Sequence, residues 1–392
     1  MRILVAHNVD RRRTGGMSRI MELIHDEVAA EGHVVDWLTA EDVPPRWRGS
    51  RARIAFPLLV WQRARDEARK GRAYDLVNVH EPHSMPVALA QANVARVGVV
   101  ITSHGLERRA WEVALEEGRL GRGGPAFRSR IVYPLTSLWQ SRVGLARARF
   151  VFTLNEEDKR YLTARCGVPA ERVGRMRPGA AGIFAAPAAR RTYDRGDRLL
   201  FFGSWRQNKG IADLVTAFEE LARRHDRLTL TVLGAGVEAS IVRNAFPESV
   251  RGRVVVIPFT DDANAVEVLS EADIFVLPSL FEGTPLVLIE AMMAGLPIVT
   301  TDTCGMRDVI AHERTGLLVP VRSPARLTQA LDRLMADPAL RAGLGRSAHE
   351  YARQHHTWKR VGQEVLSTYE RLAREGQLPA CHPADSRSGV RC

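Results

Sequence analysis

Cysteine and long apolar runs are scarce in this sequence of 392 residues. Its four cysteines, Cys166, Cys304, Cys381 and Cys392, show no C-x-x-C or Cys/His ligand spacing. They therefore indicate neither a zinc site nor a disulfide framework, and a reducing cytoplasm fits them best. No apolar run approaches the ~20 residues of a membrane-spanning helix. Because the sequence begins with an apparent strand at residues 2–6, we also expect no signal peptide.

Acidic residues are too few in the first half of the chain to balance the basic ones. Residues 1–190 contain 31 Lys and Arg against 20 Asp and Glu, whereas residues 191–392 contain 25 of each, so the first half carries the whole net charge of +11. This asymmetry predicts an anionic partner: phospholipid headgroups, a phosphorylated acceptor or nucleic acid. The aromatic residues there form no recognisable motif or stacking array, so we do not expect nucleic-acid binding.

Residues 44–73 mix arginines with aromatic and aliphatic side chains. Such a mixture is typical of an amphipathic basic helix at a membrane surface. An ordinary domain helix with a solvated basic face produces the same mixture. The sequence leaves both interpretations open.

The length of the chain and its alternating pattern predict two α/β domains with parallel sheets. Predicted strands lie at 2–6, 34–39, 75–80, 97–102, 150–154, 199–202, 228–233, 254–257, 273–278, 297–301 and 316–319, with helices between them. Residues 185–197 have few large apolar side chains and are predicted to be a linker. A long final helix is expected at 358–374, before a disordered tail.

One stretch, residues 281–297, follows the apolar strand at 273–278 and contains two carboxylates. Glu282 falls in the loop after the strand. Thr284 is a candidate N-cap and Pro285 a candidate first helical residue, so we expect a helix to about residue 293. Glu290 would then lie inside an otherwise apolar helix.

A buried carboxylate at position 290 requires hydrogen bonds, and a ligand rich in hydroxyl groups would supply them. The N-terminus of the same helix, at 284–287, offers free N–H groups and a positive dipole end to a phosphate. The alternative is a helix with one exposed or salt-bridged glutamate. Both features fall at the carboxyl end of a strand, where open α/β sheets bind ligands.

Three further strand-to-helix loops carry candidate ligand-binding residues. Residues 203–210 contain Arg206 and Lys209, two cations suited to a diphosphate, although P-loop spacing is absent. Gly15-Gly16 precedes the first helix, and His104-Gly105 follows the strand at 97–102. Residues 234–239 match G-x-G-x-x-A, but no acidic residue ends the next strand, so we do not expect NAD binding.

Gly15-Gly16, His104-Gly105, Gly203…Arg206…Lys209 and Glu282-Gly283-Thr284-Pro285…Glu290 together make the chain resemble the retaining glycosyltransferases of family 4 over residues 1–375. The resemblance implies the α/β GT-B architecture: two facing Rossmann-like domains and a C-terminal helix that crosses back to the first. The implied boundaries are 1–187 for the acceptor domain, 196–355 for the nucleotide-sugar domain, 356–375 for the returning helix and 376–392 for the tail.

The resemblance also implies roles for particular residues. His104, Arg206, Lys209 and Glu282 would form the catalytic set. The donor would be bound by Gly15, Gly16, Gly203, Arg206, Lys209, Glu282, Gly283, Thr284, Pro285, Leu286 and Glu290. Members of the family often carry arginine directly after the first glycine of the lysine loop, but Ser204 stands there, so Lys209 is assigned more firmly than Arg206.

The implied activity is retaining transfer of a sugar from a nucleotide-diphosphate sugar to a glycan or lipid-linked acceptor, in cell-surface polysaccharide or glycolipid synthesis. Cations and a helix dipole can stabilise the departing diphosphate, so we expect neither a metal nor another cofactor. We expect a cytoplasmic protein, peripheral at the inner membrane face. The alternatives are a sugar-nucleotide epimerase or phosphorylase on the same fold, and a basic nucleic-acid-binding protein.

Overall fold

The structure is a computed structural model that describes residues 1–10 and 16–377. The first six strands are β1 (Arg2–Ala6), β2 (Val34–Leu38), β3 (Tyr74–His80), β4 (Ala95–Thr102), β5 (Phe150–Thr153) and β6 (Val173–Arg175). The next six are β7 (Arg198–Phe202), β8 (Thr229–Leu233), β9 (Val254–Ile257), β10 (Ile274–Leu277), β11 (Ile298–Thr301) and β12 (Leu317–Val319).

These strands form two parallel sheets with the orders β2-β1-β3-β4-β5-β6 and β12-β11-β10-β7-β8-β9. Strands β5, β10 and β11 have every residue buried and contain only apolar residues and threonine, as expected when helices cover both faces of a parallel sheet. The predicted α/β class with two parallel sheets is confirmed. The sequence did not reveal β6, which has three residues and includes Gly174.

The helices before the second sheet are α1 (Gly16–Ala30), α2 (Ala52–Arg69), α3 (Met85–Leu89), α4 (Glu107–Arg119), α5 (Phe127–Tyr133), α6 (Trp139–Arg147) and α7 (Glu156–Arg165). Those that follow are α8 (Ile211–Ala222), α9 (Ala239–Asn244), α10 (Glu248–Arg251), α11 (Asp262–Glu271), α12 (Leu286–Met293), α13 (Cys304–Val309), α14 (Pro324–Ala336), α15 (Pro338–His355) and α16 (Trp358–Gln377). None of the helices in the described part of the chain is long and apolar enough to cross a membrane.

Helix α2 occupies the segment for which the sequence left two interpretations open. Phe56, Val60 and Ala64 on its apolar face are completely buried in the core of the first sheet. For this face the interpretation as an ordinary domain helix is right, because an apolar face packed in a core is not available to a membrane.

The predicted linker is partly helical. Gly182–Arg190 forms a 3₁₀ helix with Phe184 buried, and the Arg191 guanidinium donates to the carbonyl oxygens of Leu269, Ala272 and Ala294 at 2.6–2.8 Å. These bonds hold the segment against the second sheet's layer, so this part of the predicted linker is packed on the second half.

Helix α16 lies on the layer of the first sheet. Its Tyr369 is buried and accepts a hydrogen bond from Asn78 Nδ2 at 2.6 Å, beside His25 of α1. The helix continues through Gln377, two residues into the predicted tail, and residues 378–392 lie outside the described part of the chain.

Candidate functional site

The loop between β10 and α12 contains the two glutamates and lies against the first half of the molecule. Helix α12 begins at Leu286, and Pro285 occupies the N-cap position. The hydroxyl of Thr284 donates to the carbonyl oxygen of Leu154 at 2.7 Å. The prediction that Thr284 caps the helix is therefore wrong, because its side chain bonds across to the first half of the chain.

Glu290 is buried on α12, with 1% of its surface exposed, as its position in an apolar helix predicted. Its Oε1 lies 3.0 Å from the Nη2 of Arg19, which comes from α1 in the other half. The angle of this ion pair falls outside hydrogen-bond geometry, so both carboxylate oxygens lack a donor within residues 1–10 and 16–377. Burial raises the pKa of Glu290 to about 7, and Arg19 opposes that shift.

Lys209 and Glu282 meet because β7 and β10 are neighbours in the second sheet and their following loops emerge at the same edge. The Lys209 ammonium forms an ion pair with Glu282 Oε1, which also accepts from the hydroxyl of Ser279 at 3.1 Å. A Cβ built on Gly203 would lie 3.8 Å from Lys209 Cε, so this glycine borders the lysine side chain. Arg206 is exposed and forms no ion pair within the described residues.

Three histidines cluster at the carboxyl ends of the adjacent strands β1, β3 and β4. His80 and His104 stack with ring centroids 4.5 Å apart, and His7 meets His80 edge to face at 5.6 Å. Neither ring nitrogen of His80 or His104 has a hydrogen-bond partner within the described residues. Burial lowers the pKa of His104 to about 3, so its ring is neutral and can donate or accept hydrogen bonds.

The two halves touch at the glycines beside Glu282. A Cβ on Gly283 would lie 2.2 Å from the carbonyl oxygen of His104 in the first half. Within the second half, a Cβ on Gly305 would lie 2.0 Å from the carbonyl oxygen of Gly283. Asn155 Nδ2 donates to the Gly283 carbonyl oxygen at 3.0 Å and also caps α7. Close backbone approach therefore holds the Glu282 loop against the histidine loop.

The other predicted residues are placed as follows. Leu286 is buried in a cluster with side chains of the first half, and Pro285 is buried beside it. Gly16 is the first residue of α1 and faces open space, while Gly15 lies outside the described residues. No group of three or more His, Cys, Asp or Glu side chains within the described ranges could hold a metal ion.

Sequence reasoning missed Arg19, His80 and the hydrogen bond from Asn155 to the Gly283 carbonyl oxygen. Arg19 is one residue within an amphipathic helix, and nothing in its local pattern signals a partner in the other half. A signal did exist for His80, because it ends a predicted strand adjacent to the one that precedes His104.

Two family models match the chain, and the boundary between them falls between the last strand of the first sheet and the first strand of the second. Residues 14–180 match the model described as Glycosyltransferase Family 4, and residues 185–351 match Glycosyl transferases group 1.

Curated relatives carry related names. The phosphatidyl-myo-inositol mannosyltransferase of Mycobacterium leprae is 25% identical over 373 residues, which is 93% of this chain and 91% of that protein. An uncharacterized glycosyltransferase of Methanocaldococcus jannaschii is 27% identical over 173 residues, and the match spans 44% of either chain.

Solved structures share the fold. The sucrose-phosphate synthase of Thermosynechococcus elongatus superposes with a TM-score of 0.76 at 20% identity, covering 95% of this chain and 99% of that one. The Anabaena protein Alr3699/HepE in complex with UDP-glucose superposes with a TM-score of 0.67 at 16% identity, covering 95% of this chain and 100% of that one. The expected GT-B architecture is confirmed, and the chain is a glycosyltransferase that belongs to family 4, with a group 1 second half.

Proposed function

We propose that this glycosyltransferase transfers a sugar, with retention of anomeric configuration, from a nucleotide-diphosphate sugar to a glycan or lipid-linked acceptor. The observation that carries the proposal is the buried Glu290, whose oxygens lack hydrogen-bond donors within the described residues. It lies one helix turn after the loop that places Glu282 beside Lys209. A carboxylate without donors in a cleft is matched by a ligand that brings hydroxyl groups. We further propose a role in cell-surface polysaccharide or glycolipid synthesis, at the cytoplasmic face of the membrane.

Each residue then has a role that its surroundings permit. Glu290 accepts hydrogen bonds from the donor ribose, and Glu282 accepts them from the transferred sugar. Lys209, with Arg206, compensates the charge of the diphosphate, and the backbone N–H groups of Gly283, Thr284 and Leu286 complete its binding site. His104 stands beside the reacting sugar as a neutral hydrogen-bonding group, and Gly16 at the start of α1 lets the first half come close to the diphosphate.

The chemistry needs charge stabilisation more than it needs a carboxylate nucleophile. When the anomeric C–O bond breaks, negative charge grows on the diphosphate and positive charge on the sugar ring. Fixed cations stabilise the first, so we propose no metal cofactor. Attack on the same face, with the leaving phosphate oxygen accepting the acceptor's proton, gives retention.

Two comparisons support the nature of the substrates. The Anabaena structure with this fold was solved with UDP-glucose, and the mycobacterial relative is named for mannose transfer to a phosphatidylinositol. The first half offers an acceptor a polar cavity of about 460 Å³, lined by Asn8, Asp10, Glu41 and Arg48 among others. It opens beside the end of β1, where His7 begins the histidine cluster.

The anomeric configuration of the product tests the mechanism. NMR of the product formed from an α-linked sugar nucleotide should show an α-glycoside, and a β-glycoside would overturn the proposal of retention. Turnover that requires inorganic phosphate and no acceptor would instead indicate a phosphorylase.

A further inference from the structure

A row of large apolar side chains lies exposed on the helical stretch formed by α5, the π-helical turn Pro134–Leu138 and α6. Phe127, Ile131, Leu135 and Trp139 are spaced four residues apart, and all four are exposed, Phe127 by 79% and Leu135 by 72%. Exposed apolar side chains in single positions are ordinary, whereas a continuous row of four marks an interaction surface.

The π-helical turn keeps this row on one side of the helix. In an α-helix each four-residue step advances about 40° around the axis, so a four-residue repeat drifts away from one face. A π-helical turn contains more residues, so each residue turns less and the drift is reduced. Pro134–Leu138 sits in the middle of the row, between Ile131 and Trp139.

The charged residues of this helical stretch itself are all basic. Between Glu117 and Glu156 the sequence contains no Asp or Glu. The stretch 127–147 contains four arginines, Arg128, Arg130, Arg142 and Arg147. None of them forms an ion pair with a carboxylate within the described residues. Arg128 lies three residues before Ile131 and Arg142 three after Trp139, so helical spacing places both beside the apolar row.

The N-terminal part of α2 extends this surface. The Arg53 guanidinium lies 5.4 Å from the ring centroid of Tyr133, and Gln140 Nε2 donates to the Arg53 carbonyl oxygen at 3.3 Å. Next to this contact, Ile54 and Leu58 are exposed on α2 although the opposite side of that helix is buried. The docking face, defined here as Ile54, Leu58 and the row Phe127, Ile131, Leu135 and Trp139, therefore spans two neighbouring helices.

We propose that the docking face seats the enzyme on an anionic lipid bilayer, with the apolar row in the headgroup region and the arginines on lipid phosphates. Apolar side chains interleaved with basic ones are what such a surface binds. A second copy of the chain is a poorer occupant, because a two-fold contact would bring the two sets of arginines together without compensating carboxylates.

Hydrogen bonds connect this face to the cleft. Tyr133 of α5 donates its hydroxyl to Glu107, and Ser141 of α6 donates to Glu81. Glu81 also accepts from Ser103, at 2.5 Å, and Ser103 directly precedes His104. A bilayer bound at the docking face would thus lie next to the side of the cleft from which an acceptor enters, which makes an amphiphilic acceptor in that bilayer accessible. This last step rests on the proposed function, whereas docking itself does not.

Vesicle sedimentation of the full chain tests the docking face. Wild type should pellet with phosphatidylcholine vesicles that contain about 30% phosphatidylglycerol. The pelleted fraction should fall in high salt, and it should be far smaller with pure phosphatidylcholine vesicles. The double variant Phe127→Ser/Leu135→Ser should partition onto the anionic vesicles about tenfold more weakly. Equal partitioning of the double variant and wild type, or equal binding to neutral and anionic vesicles, would overturn the proposal.

Matched variants and two further measurements separate the outcomes. Ile131 and Ile241, a residue of α9, are exposed by 53% and 54%, so Ile131→Ser should weaken vesicle binding and Ile241→Ser should not. A wild-type dimer that Phe127→Ser/Leu135→Ser converts to a monomer, without vesicle binding, would make the face a self-association surface and overturn docking. Nucleotide sugars should raise the Tm of wild type and of all these variants equally. If they raise the Tm of none of them, that result counts against the proposed function and leaves the docking proposal unaffected.

Discussion

Arg19 and Glu290 form an ion pair, 3.0 Å between Nη2 and Oε1, that joins the first helix of the chain to the buried carboxylate of the second half. The same guanidinium lies 3.4 Å from Asp262. Because Glu290 has no hydrogen-bond donor within the described residues, this single charge is what partly offsets the cost of burying it. The carboxylate is thereby held ready for hydroxyl groups, and its ionisation becomes sensitive to pH near neutrality.

Binding of a nucleotide sugar should weaken in acid because of Glu290. Burial raises the pKa of this carboxyl to about 7, so the ionised form that accepts ribose hydroxyl groups predominates above that pH and is lost below it. Because the Glu290 carboxylate takes up one proton in this range, the affinity for the nucleotide sugar should fall about tenfold between about pH 8 and pH 6. Titration calorimetry with a sugar nucleotide measures this, since its diphosphate diester does not itself titrate in that range.

The matched control for this dependence is Glu290→Gln, which keeps the shape and cannot ionise. It should bind more weakly than wild type at pH 8 and show a flat profile from pH 8 to pH 6. A variant that retains the acid-induced loss would assign the titration to another group.

Lys209→Met should reduce kcat/KM by about 10²–10³, because a fixed cation at the departing diphosphate acts mainly in the transition state. The ion pair with Glu282 is mostly buried, with 16% and 15% of the two side chains accessible. Its loss leaves the Glu282 carboxylate without its cation and should lower the free energy of unfolding by about 1–3 kcal/mol. Lys359→Met, at an exposed lysine of α16, is the matched control and should behave like wild type in transfer assays. Wild-type kcat/KM in Lys209→Met would remove this lysine from the site.

Gly283→Ala should separate the two loops at the cleft. Its new Cβ would lie 2.2 Å from the carbonyl oxygen of His104, so the halves must move apart, and displacements of this size cost about 100-fold in rate. Gly343→Ala is the control, since it adds a methyl to open space on α15 and should stabilise that helix by up to about 1 kcal/mol. Circular dichroism should show both variants folded, and undiminished transfer by Gly283→Ala would show that the contact does not position the site.

Much of the fold and the outline of the site follow from local patterns. Short apolar runs identified eleven of the twelve strands, because parallel strands covered on both faces have little polar content. Glu290 could be predicted to be buried from the apolar residues around it in α12. The loops of Lys209 and Glu282 could be predicted to share one edge, since both follow strands of one parallel sheet.

What the sequence could not show depends on contacts between distant residues. The pairing of Arg19 with Glu290 and the bond from Thr284 to Leu154 each join the two halves, and neither leaves a local trace. Thr284 has the composition of an N-cap, but its hydroxyl is already used across the cleft. For residues 44–73 the sequence left a membrane-surface helix and an ordinary domain helix open, because composition does not tell which side of a basic helix the core covers.

A thermal-shift panel of UDP, GDP, ADP and their sugars, applied to wild type and Glu290→Ala, tests the central claim most directly. A ligand bound by the folded state alone at about 100 times its Kd adds about 2.7 kcal/mol of stability. We predict that compounds of one base raise the Tm of wild type by several degrees and leave that of Glu290→Ala unchanged. A wild type that responds to no nucleotide, or a variant that responds equally, would contradict a nucleotide-sugar site built on Glu290.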